Sequence, residues 1–187
     1  GLTLQDLVVP SQDTRQRHTS YVPVGYPLLR AIEALRLGLE NYGVPGSTLR
    51  FLSIFRTPSH NRGIGSGRFG RHIYGDAFDF IIDGDGDNDM DDLNRDGRVD
   101  RTDGLWLVAL IEDLMADGAM PAGGIGVYTF SGGDYRVTMH VDLRGHRATW
   151  GFHQGRRKSE FEWKSRRFGA QDEAEKLERE RRKAAGK

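Results

Sequence analysis

The sequence of 187 residues contains no cysteine. This absence excludes disulfide bonds, thiolate metal sites and cysteine nucleophiles. Long apolar runs are also missing, since no stretch approaches the ~20 residues that a membrane-spanning helix requires. Lys and Arg together number 27, as do Asp and Glu, so the net charge of zero favours no charged partner. What remains is a glycine-rich chain that is long enough for one domain with a hydrophobic core.

The charges are unevenly distributed along the chain. Residues 83–103 include nine Asp and three Arg, a local net charge of −6. After Trp150 the chain is strongly charged and poor in large aliphatic residues, which is typical of a solvated helix or a disordered segment. We therefore predict a main domain over residues 1–153, interrupted by an acidic insertion over residues 83–104, and a charged tail over residues 154–187.

Hydrophobic periodicity predicts a mixture of helices and strands. Leu28, Ile32 and Leu35 recur at helical spacing before a glycine stop at Gly43. Stretches rich in β-branched and aromatic residues predict strands, and a Ser-Gly-Gly-Asp turn separates the last two. The predicted helices are 27–42 and 105–115, the predicted strands are 49–55, 77–82, 125–130 and 135–142, and a polar loop is predicted over 57–71.

A histidine and an aspartate form the pattern H-x-x-G-x-A-x-D, which runs from His72 to Asp79. Gly75 allows a sharp turn between a loop and the next strand. Because alternate residues of a strand share one face, Asp79 can face a cleft while Phe78 and Phe80 fill the core. A loop histidine and a strand carboxylate can therefore meet at one cation.

The last predicted strand has a polar face and an apolar face. Thr138, His140 and Asp142 alternate with apolar residues. Two histidines and one carboxylate form a known ligand set of catalytic zinc, which leaves a fourth position for water. We therefore predict one catalytic Zn²⁺, held by His72, Asp79 and His140.

Several motifs occur in an order that is similar to that of a known family. They are Ser53-Ile-Phe-Arg56-Thr-Pro58, Asn61, the pattern from His72 to Asp79, Gly123-Gly-Ile-Gly-Val-Tyr128, His140-Val-Asp142-Leu-Arg144 and Arg147-Ala-Thr-Trp150. On these motifs the chain resembles the zinc D-alanyl-D-alanine carboxypeptidase and murein endopeptidase superfamily. It is most similar to the branch of small periplasmic murein endopeptidases, and the resemblance covers residues 25–151.

This resemblance implies an α+β fold in which a small antiparallel sheet and flanking helices surround a zinc cleft. It implies His72, Asp79 and His140 as the zinc ligands. The implied activity is hydrolysis of peptide bonds in peptidoglycan stem peptides or cross-links, by a carboxypeptidase or endopeptidase of the D,D- or L,D-type. Arg56 matches a family arginine near the substrate, where it can hold a peptide carboxylate through two hydrogen bonds. A surface ion pair is the alternative role of Arg56.

Two positions depart from the family pattern. Many members have a Glu general base three residues before the last zinc histidine, where this chain has Val137. Many have a Ser two residues before the first zinc histidine, where this chain has Gly70. Asp142 is the best replacement for the base because it shares the strand face of His140. The alternative is that Asp142 orients a zinc histidine by a hydrogen bond.

The missing Glu keeps a second function open. In this alternative the chain is a non-catalytic module that binds cell wall or protein and keeps zinc and calcium for stability.

A twelve-residue segment has the pattern of an EF-hand or dockerin-like calcium loop. Oxygen-bearing side chains fall at positions 1, 3, 5, 9 and 12, with glycine at position 6 and an aliphatic residue at position 8. We therefore predict at least one structural Ca²⁺ in the acidic insertion. The five aspartates over residues 83–91 are a second, less regular candidate site. The predicted ligands of the loop are Asp92, Asn94, Asp96, Asp100, Asp103 and the backbone carbonyl of Arg98.

The calcium loop also bears on location and partners. Extracellular calcium loops bind at millimolar calcium, so we expect an extracytoplasmic protein, periplasmic or secreted. No signal peptide is recognisable near Gly1, and we expect it to have been removed either in the mature form or for expression. The expected partners are peptidoglycan peptides. We expect no membrane span, and no nucleic acid at the basic cluster over residues 156–167; the oligomeric state is not predicted.

Overall fold

The computed structural model describes residues 23–129 and 137–151. The predictions for the charged tail and for the basic cluster lie outside the described residues. Within the described part of the chain the fold is α+β, as predicted, with three α-helices and a five-stranded sheet where the sequence predicted two helices and four strands. None of the described helices has the length and the apolar character that crossing a bilayer requires.

The helices and strands alternate irregularly along the chain. The helices are α1 (Tyr26–Asn41), α2 (Pro58–Gly63) and α3 (Arg101–Ala116), with 3₁₀ turns at Gly46–Thr48 and Arg71–Tyr74. The strands are β1 (Leu49–Ser53), β2 (Ala77–Ile82), β3 (Gly124–Thr129), β4 (Val137–Asp142) and β5 (Ala148–Trp150).

The sheet has the strand order β1-β2-β4-β3-β5 and is mixed. Its first four strands pair antiparallel, as the family resemblance implied, but β5 runs parallel to β3. The prediction of a purely antiparallel sheet was therefore wrong for β5. Both edges of β4 are already occupied by β2 and β3, so β5 takes the free edge of β3. A short connection reverses the chain after β4, which leaves β5 parallel to β3.

One face of the sheet forms the hydrophobic core. Phe78 and Phe80 of β2 are fully buried, as are Leu28, Ile32 and Leu35 of α1. These side chains remove apolar surface from water, which is the main favourable contribution to folding. The opposite face of the sheet therefore remains for polar side chains.

Helix α3 approaches the core face of the sheet closely at one glycine. A Cβ added at Gly104 would lie 2.7 Å from Val127 and 3.1 Å from Val137, so a larger residue would push the helix away from the sheet. Val137, three residues before His140, is itself buried in this core.

Local capping signals explain where α2 and α3 begin. Helix α3 begins four residues before its predicted start because Asp100 and Asp103 form a capping box. Helix α2 lies inside the predicted loop, where Thr57 accepts a hydrogen bond from the backbone N–H of His60 and Pro58 occupies the first turn.

Candidate metal centre

Strand pairing brings two of the three predicted zinc ligands together. Asp79 of β2 lies directly opposite His140 of β4 in the sheet register. Directly paired residues of antiparallel strands point to the same face, so both side chains project from the face opposite the core. His72 comes from the 3₁₀ turn that precedes β2.

A glycine after the 3₁₀ turn directs the chain from His72 into β2. Gly75 has a φ of 68°, in the left-handed region, and a Cβ there would overlap the backbone oxygen of Pro23. Any other residue would therefore be strained and would meet the backbone that precedes α1.

The three side chains converge on one point. His72 Nε2 lies 3.1 Å from Asp79 Oδ1 and 3.2 Å from His140 Nδ1, and His140 Nδ1 lies 2.7 Å from Asp79 Oδ1. Both histidines are buried, and the side chain of Asp79 is 18% exposed. Asp79 is therefore the most exposed of the three side chains.

Second contacts fix the orientation of both imidazole rings. His72 Nδ1 lies 2.7 Å from the carbonyl oxygen of Ile54, which can only accept a hydrogen bond. His72 Nδ1 therefore carries the proton, and its Nε2 offers a lone pair to the cluster. His140 Nε2 lies 3.1 Å from Asp142 Oδ2, so Nε2–H can donate to this carboxylate while Nδ1 offers a lone pair to a metal ion bound in the cluster. This arrangement is typical of metal-binding histidines.

The charges around the cluster favour a bound cation. Without a metal ion, the imidazole nitrogens of His140 and His72 that face Asp79 can donate to its carboxylate; burial alone would raise the pKa of Asp79, but these contacts and the imidazole charges hold it well below its usual range. Burial alone would lower the pKa of His140, but its bonds to Asp142 and Asp79 raise it above its ordinary value. The carboxylates therefore stay ionised and draw a positive charge, a proton or a metal ion, into the site.

Asp142 lies behind His140, on the side away from the three converging atoms. The residue is fully buried, and its carboxylate accepts hydrogen bonds from Arg144 Nε at 2.8 Å and Arg144 Nη2 at 2.5 Å. Burial alone would raise the pKa of Asp142, but Arg144 and His140 hold it well below its usual range. A weakly basic carboxylate that is already bonded on both oxygens is better suited to orienting His140 than to taking a proton from water.

Arg56 lies on the other side of the cluster. Its Nη2 donates to Asp79 Oδ2, and its Nε donates to Ser53 Oγ at 2.7 Å. The side chain of Arg56 is 16% exposed, so this is a partly buried ion pair with a metal-ligating candidate rather than a surface pair. Within the residues that the structure describes, Nη1 has no hydrogen-bond partner.

Trp150 and Tyr128 line the site and received no role in the sequence analysis. The Trp150 ring packs against His140 with centroids 5.1 Å apart, and its Nε1 donates to Tyr128 Oη at 2.8 Å. Burial raises the pKa of Tyr128. The charges of Asp79 and Asp142 raise it further, whereas the charge of Arg56 lowers it. The sequence signal that could have identified Tyr128 was the alternating pattern Gly-x-Gly-x-Tyr of β3.

The carboxylates that converge in the acidic segment are not those of the predicted calcium loop. Among the described residues, two groups of acidic or histidine side chains bring three ligand atoms within 4.8 Å of one another. One is the His72, Asp79 and His140 cluster. The other consists of Asp83, Asp85 and Asp91. The carboxylates of residues 92–103 form no such group.

Backbone hydrogen bonds explain the positions of the loop carboxylates. Asp103 is fully buried and accepts from the backbone N–H groups of Leu93, Asn94 and Asp100. Asp92 accepts from the N–H groups of residues 96 and 97. These carboxylates close the loop and cap α3.

The remaining predicted loop ligands also take part in local contacts. Asp96 accepts from the backbone N–H of Arg98, and Asn94 donates to Asp96 at 3.2 Å. Asp100 accepts from Thr102 as the helix cap. Gly97, at position 6, has a φ of 85°, as the sharp turn of a calcium loop requires.

Comparison with known proteins gives one match. Residues 2–108, more than half of the chain, match the family model described as Peptidase M15. The matched range contains Arg56, His72 and Asp79, whereas His140 lies beyond it and joins the site through the pairing of β2 and β4. No curated protein and no solved structure matches the chain.

Proposed function

Because the chain belongs to the peptidase M15 family, we propose that it is a zinc metallopeptidase that hydrolyses peptide bonds in the stem peptides or cross-links of bacterial peptidoglycan. The family supports a zinc peptidase acting on peptides derived from peptidoglycan. The cleavage products distinguish a D,D bond from an L,D bond and a carboxypeptidase from an endopeptidase.

The convergence of His72, Asp79 and His140 carries this proposal. Three ligand atoms that each lie ~2.0–2.1 Å from a tetrahedral zinc must be roughly 3.3 Å apart. The observed separations of 3.1 Å and 3.2 Å come close to this value, and the separation of 2.7 Å between His140 Nδ1 and Asp79 Oδ1 is shorter. The donor set of two neutral imidazoles and one carboxylate also suits zinc and leaves a fourth position for water.

The residues of the chain divide the work around this site. Zinc, when bound, supplies a Lewis acid that lowers the pKa of water and polarises a carbonyl group. The Ile54 carbonyl and the Asp142 carboxylate hold the two imidazoles in the tautomers that expose a lone pair to the metal. Arg56 holds the second oxygen of Asp79, and its Nη1 is available for a carboxylate of the substrate.

Zinc-dependent hydrolysis tests the proposal. Purified muropeptides should be cleaved by the protein, a chelator should stop cleavage, and added zinc should restore it. Metal analysis should find about one zinc per chain, and the double variant His72→Ala, His140→Ala should lose it. His146→Ala is the matched control because this histidine is exposed and lies outside the cluster. Full zinc occupancy in the double variant would refute the site.

One observation favours a non-catalytic binding module as the second candidate function. Val137 replaces the family's Glu and faces the core, so no carboxylate reaches the cleft from this position. Cleavage products identified by mass spectrometry distinguish the candidates. A protein that holds zinc and binds muropeptides without cleaving them would be the module.

We propose further that the acidic segment binds structural calcium and that the protein works outside the cytosol. The twelve-residue pattern supports the loop of residues 92–103, and its left-handed glycine permits the required turn. The proximity of Asp83, Asp85 and Asp91 supports a site in the preceding segment. Burial raises the pKa of Asp91, and the charges of Asp85 and Asp83 raise it further. A bound cation would relieve this repulsion.

A further inference from the structure

Arg144 follows strand β4 and contacts both residues that support His140. Its Nε donates to Asp142 Oδ1 at 2.8 Å, and its Nη2 donates to Asp142 Oδ2 at 2.5 Å. Its guanidinium carbon lies 5.1 Å from the centroid of the Trp150 ring, within the range of a cation–π contact. One side chain therefore holds both the carboxylate that contacts His140 Nε2 and the indole that packs against the His140 ring.

Two glycines of β3 leave room for this arrangement. A Cβ at Gly124 would lie 3.0 Å from Arg144 Nε, and a Cβ at Gly126 would lie 2.5 Å from Trp150 Cε2. The two glycines are two positions apart on one strand, so they share a face, and Gly126 pairs with His140. The guanidinium and the indole therefore lie over neighbouring positions on the face of the sheet that carries the metal ligands.

We propose that Arg144 is a positioning residue for zinc, which acts through Asp142 and Trp150 to hold the His140 imidazole with Nδ1 toward the metal. This inference rests on the zinc site of the proposed function. It follows from two hydrogen bonds to one carboxylate and from the contact with the indole, all made by one planar group.

Arginine suits this role because its guanidinium is planar and presents its donors in a fixed fork. A lysine would keep the charge, but its ammonium would neither bond to both oxygens in one plane nor stack on the indole. Without the guanidinium, Asp142 Oδ1 keeps the backbone donors of Gly124 and residue 144, whereas Oδ2 loses its bond from Nη2. The carboxylate is then free to turn away from His140.

Zinc affinity tests the role directly. Competition with a chromophoric chelator should show affinity about tenfold lower in Arg144→Gln and in Arg144→Lys, the lower end of the usual effect of losing an outer partner of a metal-binding histidine. Arg147→Gln is the matched control, because Arg147 pairs with Glu112 and its side chain is 61% exposed. Wild-type zinc affinity in both Arg144 variants would overturn the inference.

Cobalt in place of zinc separates positioning from general stability, since its visible absorption bands depend on the geometry of its ligands. These bands should change in Arg144→Gln and stay as in wild type in Arg147→Gln. Millimolar guanidinium should restore the bands in Arg144→Ala, because the Arg144 side chain is 27% exposed and a small cation can take its place. A lower Tm with unchanged bands would mean a purely structural role and would overturn the inference.

A double-mutant cycle tests the path through Asp142. In the Asp142→Asn background, Arg144→Gln should lower zinc affinity by less than it does in wild type, because the carboxylate through which the arginine acts is already gone. Fully additive losses would mean that Arg144 does not act through Asp142, which contradicts the proposal.

These measurements need zinc binding and no catalysis, so they separate this inference from the proposed function. A wild-type protein that binds zinc without cleaving muropeptides would refute the peptidase, and weaker zinc binding by Arg144→Gln would still support the positioning role. A wild type that cleaves muropeptides and Arg144 variants with unaffected zinc binding would refute this inference alone. A wild type that binds no zinc would refute both.

Discussion

Replacing Asp142 by Asn should weaken zinc binding through the tautomer of His140. The carboxylate is fully buried. Its Oδ1 accepts from Gly124 N, Arg144 N and Arg144 Nε, whereas its Oδ2 contacts His140 Nε2 and Arg144 Nη2. Asn has the same size but offers one oxygen and one NH₂ group.

The orientation of the new amide follows from these contacts. An NH₂ group at the position of Oδ1 would face three donors. At the position of Oδ2 it faces one donor, Arg144 Nη2, and the ring nitrogen His140 Nε2. The second orientation is less costly, but His140 Nε2 must then accept a hydrogen bond. The neutral ring consequently carries its proton on Nδ1, the atom that must be free to bind zinc.

The expected loss of zinc affinity is about 10–100-fold, the usual effect of removing the partner of a metal-binding histidine. This factor corresponds to about 1.4–2.7 kcal/mol of binding free energy. Losing the ion pair should also lower the free energy of unfolding by about 1–3 kcal/mol. The side chain of Arg144 is 27% exposed, so water can partly replace the lost carboxylate.

Competition with a chromophoric chelator measures zinc affinity, and muropeptide cleavage at saturating zinc measures turnover. Asp76→Asn is the control because Asp76 is paired with Arg71, outside the metal cluster. If Asp142→Asn keeps wild-type zinc affinity and loses roughly 10²–10⁴-fold in kcat at saturating zinc, Asp142 is a general base and the tautomer argument fails.

Two further predictions concern stability. Gly126→Ala should displace the Trp150 indole and lower the free energy of unfolding by about 1–3 kcal/mol. The control Gly67→Ala should be neutral because the space around Gly67 is open. Equal Tm values for both variants would contradict the packing argument. Calcium at about 100 times its Kd should stabilise the zinc-loaded protein by about 2.7 kcal/mol. Loss of this effect in Asp96→Asn would place the ion in the loop of residues 92–103, and loss in Asp91→Asn would place it in the preceding segment. A Tm that does not respond to calcium in any of these proteins would exclude the site.

The sequence pattern predicted the strand faces well, because alternation depends only on local geometry. The bounds of β2 agree with the prediction, and Phe78 and Phe80 face the core as expected. Alternation does not say which strands become neighbours. The register that puts Asp79 opposite His140 depends on long-range pairing, so the sequence predicted a shared metal ion from the residue types and the family resemblance but could not predict the pairing itself.

The start of α3 was predicted four residues too late because a polar side chain can serve more than one purpose. Asp100 and Asp103 fit calcium-loop positions, and the same spacing fits a helix capping box. Assigning both residues to an ion hid the start of α3. Strand β5 was missed for a different reason, because three residues are too short for periodicity to be recognised.

The metal centre depends on the glycines of β3 as well as on its two histidines. Along the sheet, Ala77, Asp142 and Gly124 form one row, and Asp79, His140 and Gly126 form the next. A Cβ at Gly124 would lie 2.6 Å from Asp142 Oδ2, so the bare strand makes room for the carboxylate that orients His140.

Gly126 makes the same kind of room for the Trp150 indole. If β3 had larger residues at these two positions, the His-x-Asp strand would keep its metal-ligating side chains. It would lose the room for the Asp142 carboxylate and the Trp150 indole that hold His140 in place. We therefore expect the glycine spacing of β3, together with Trp150, to distinguish a preorganised zinc site from a chance occurrence of the two histidines and the aspartate.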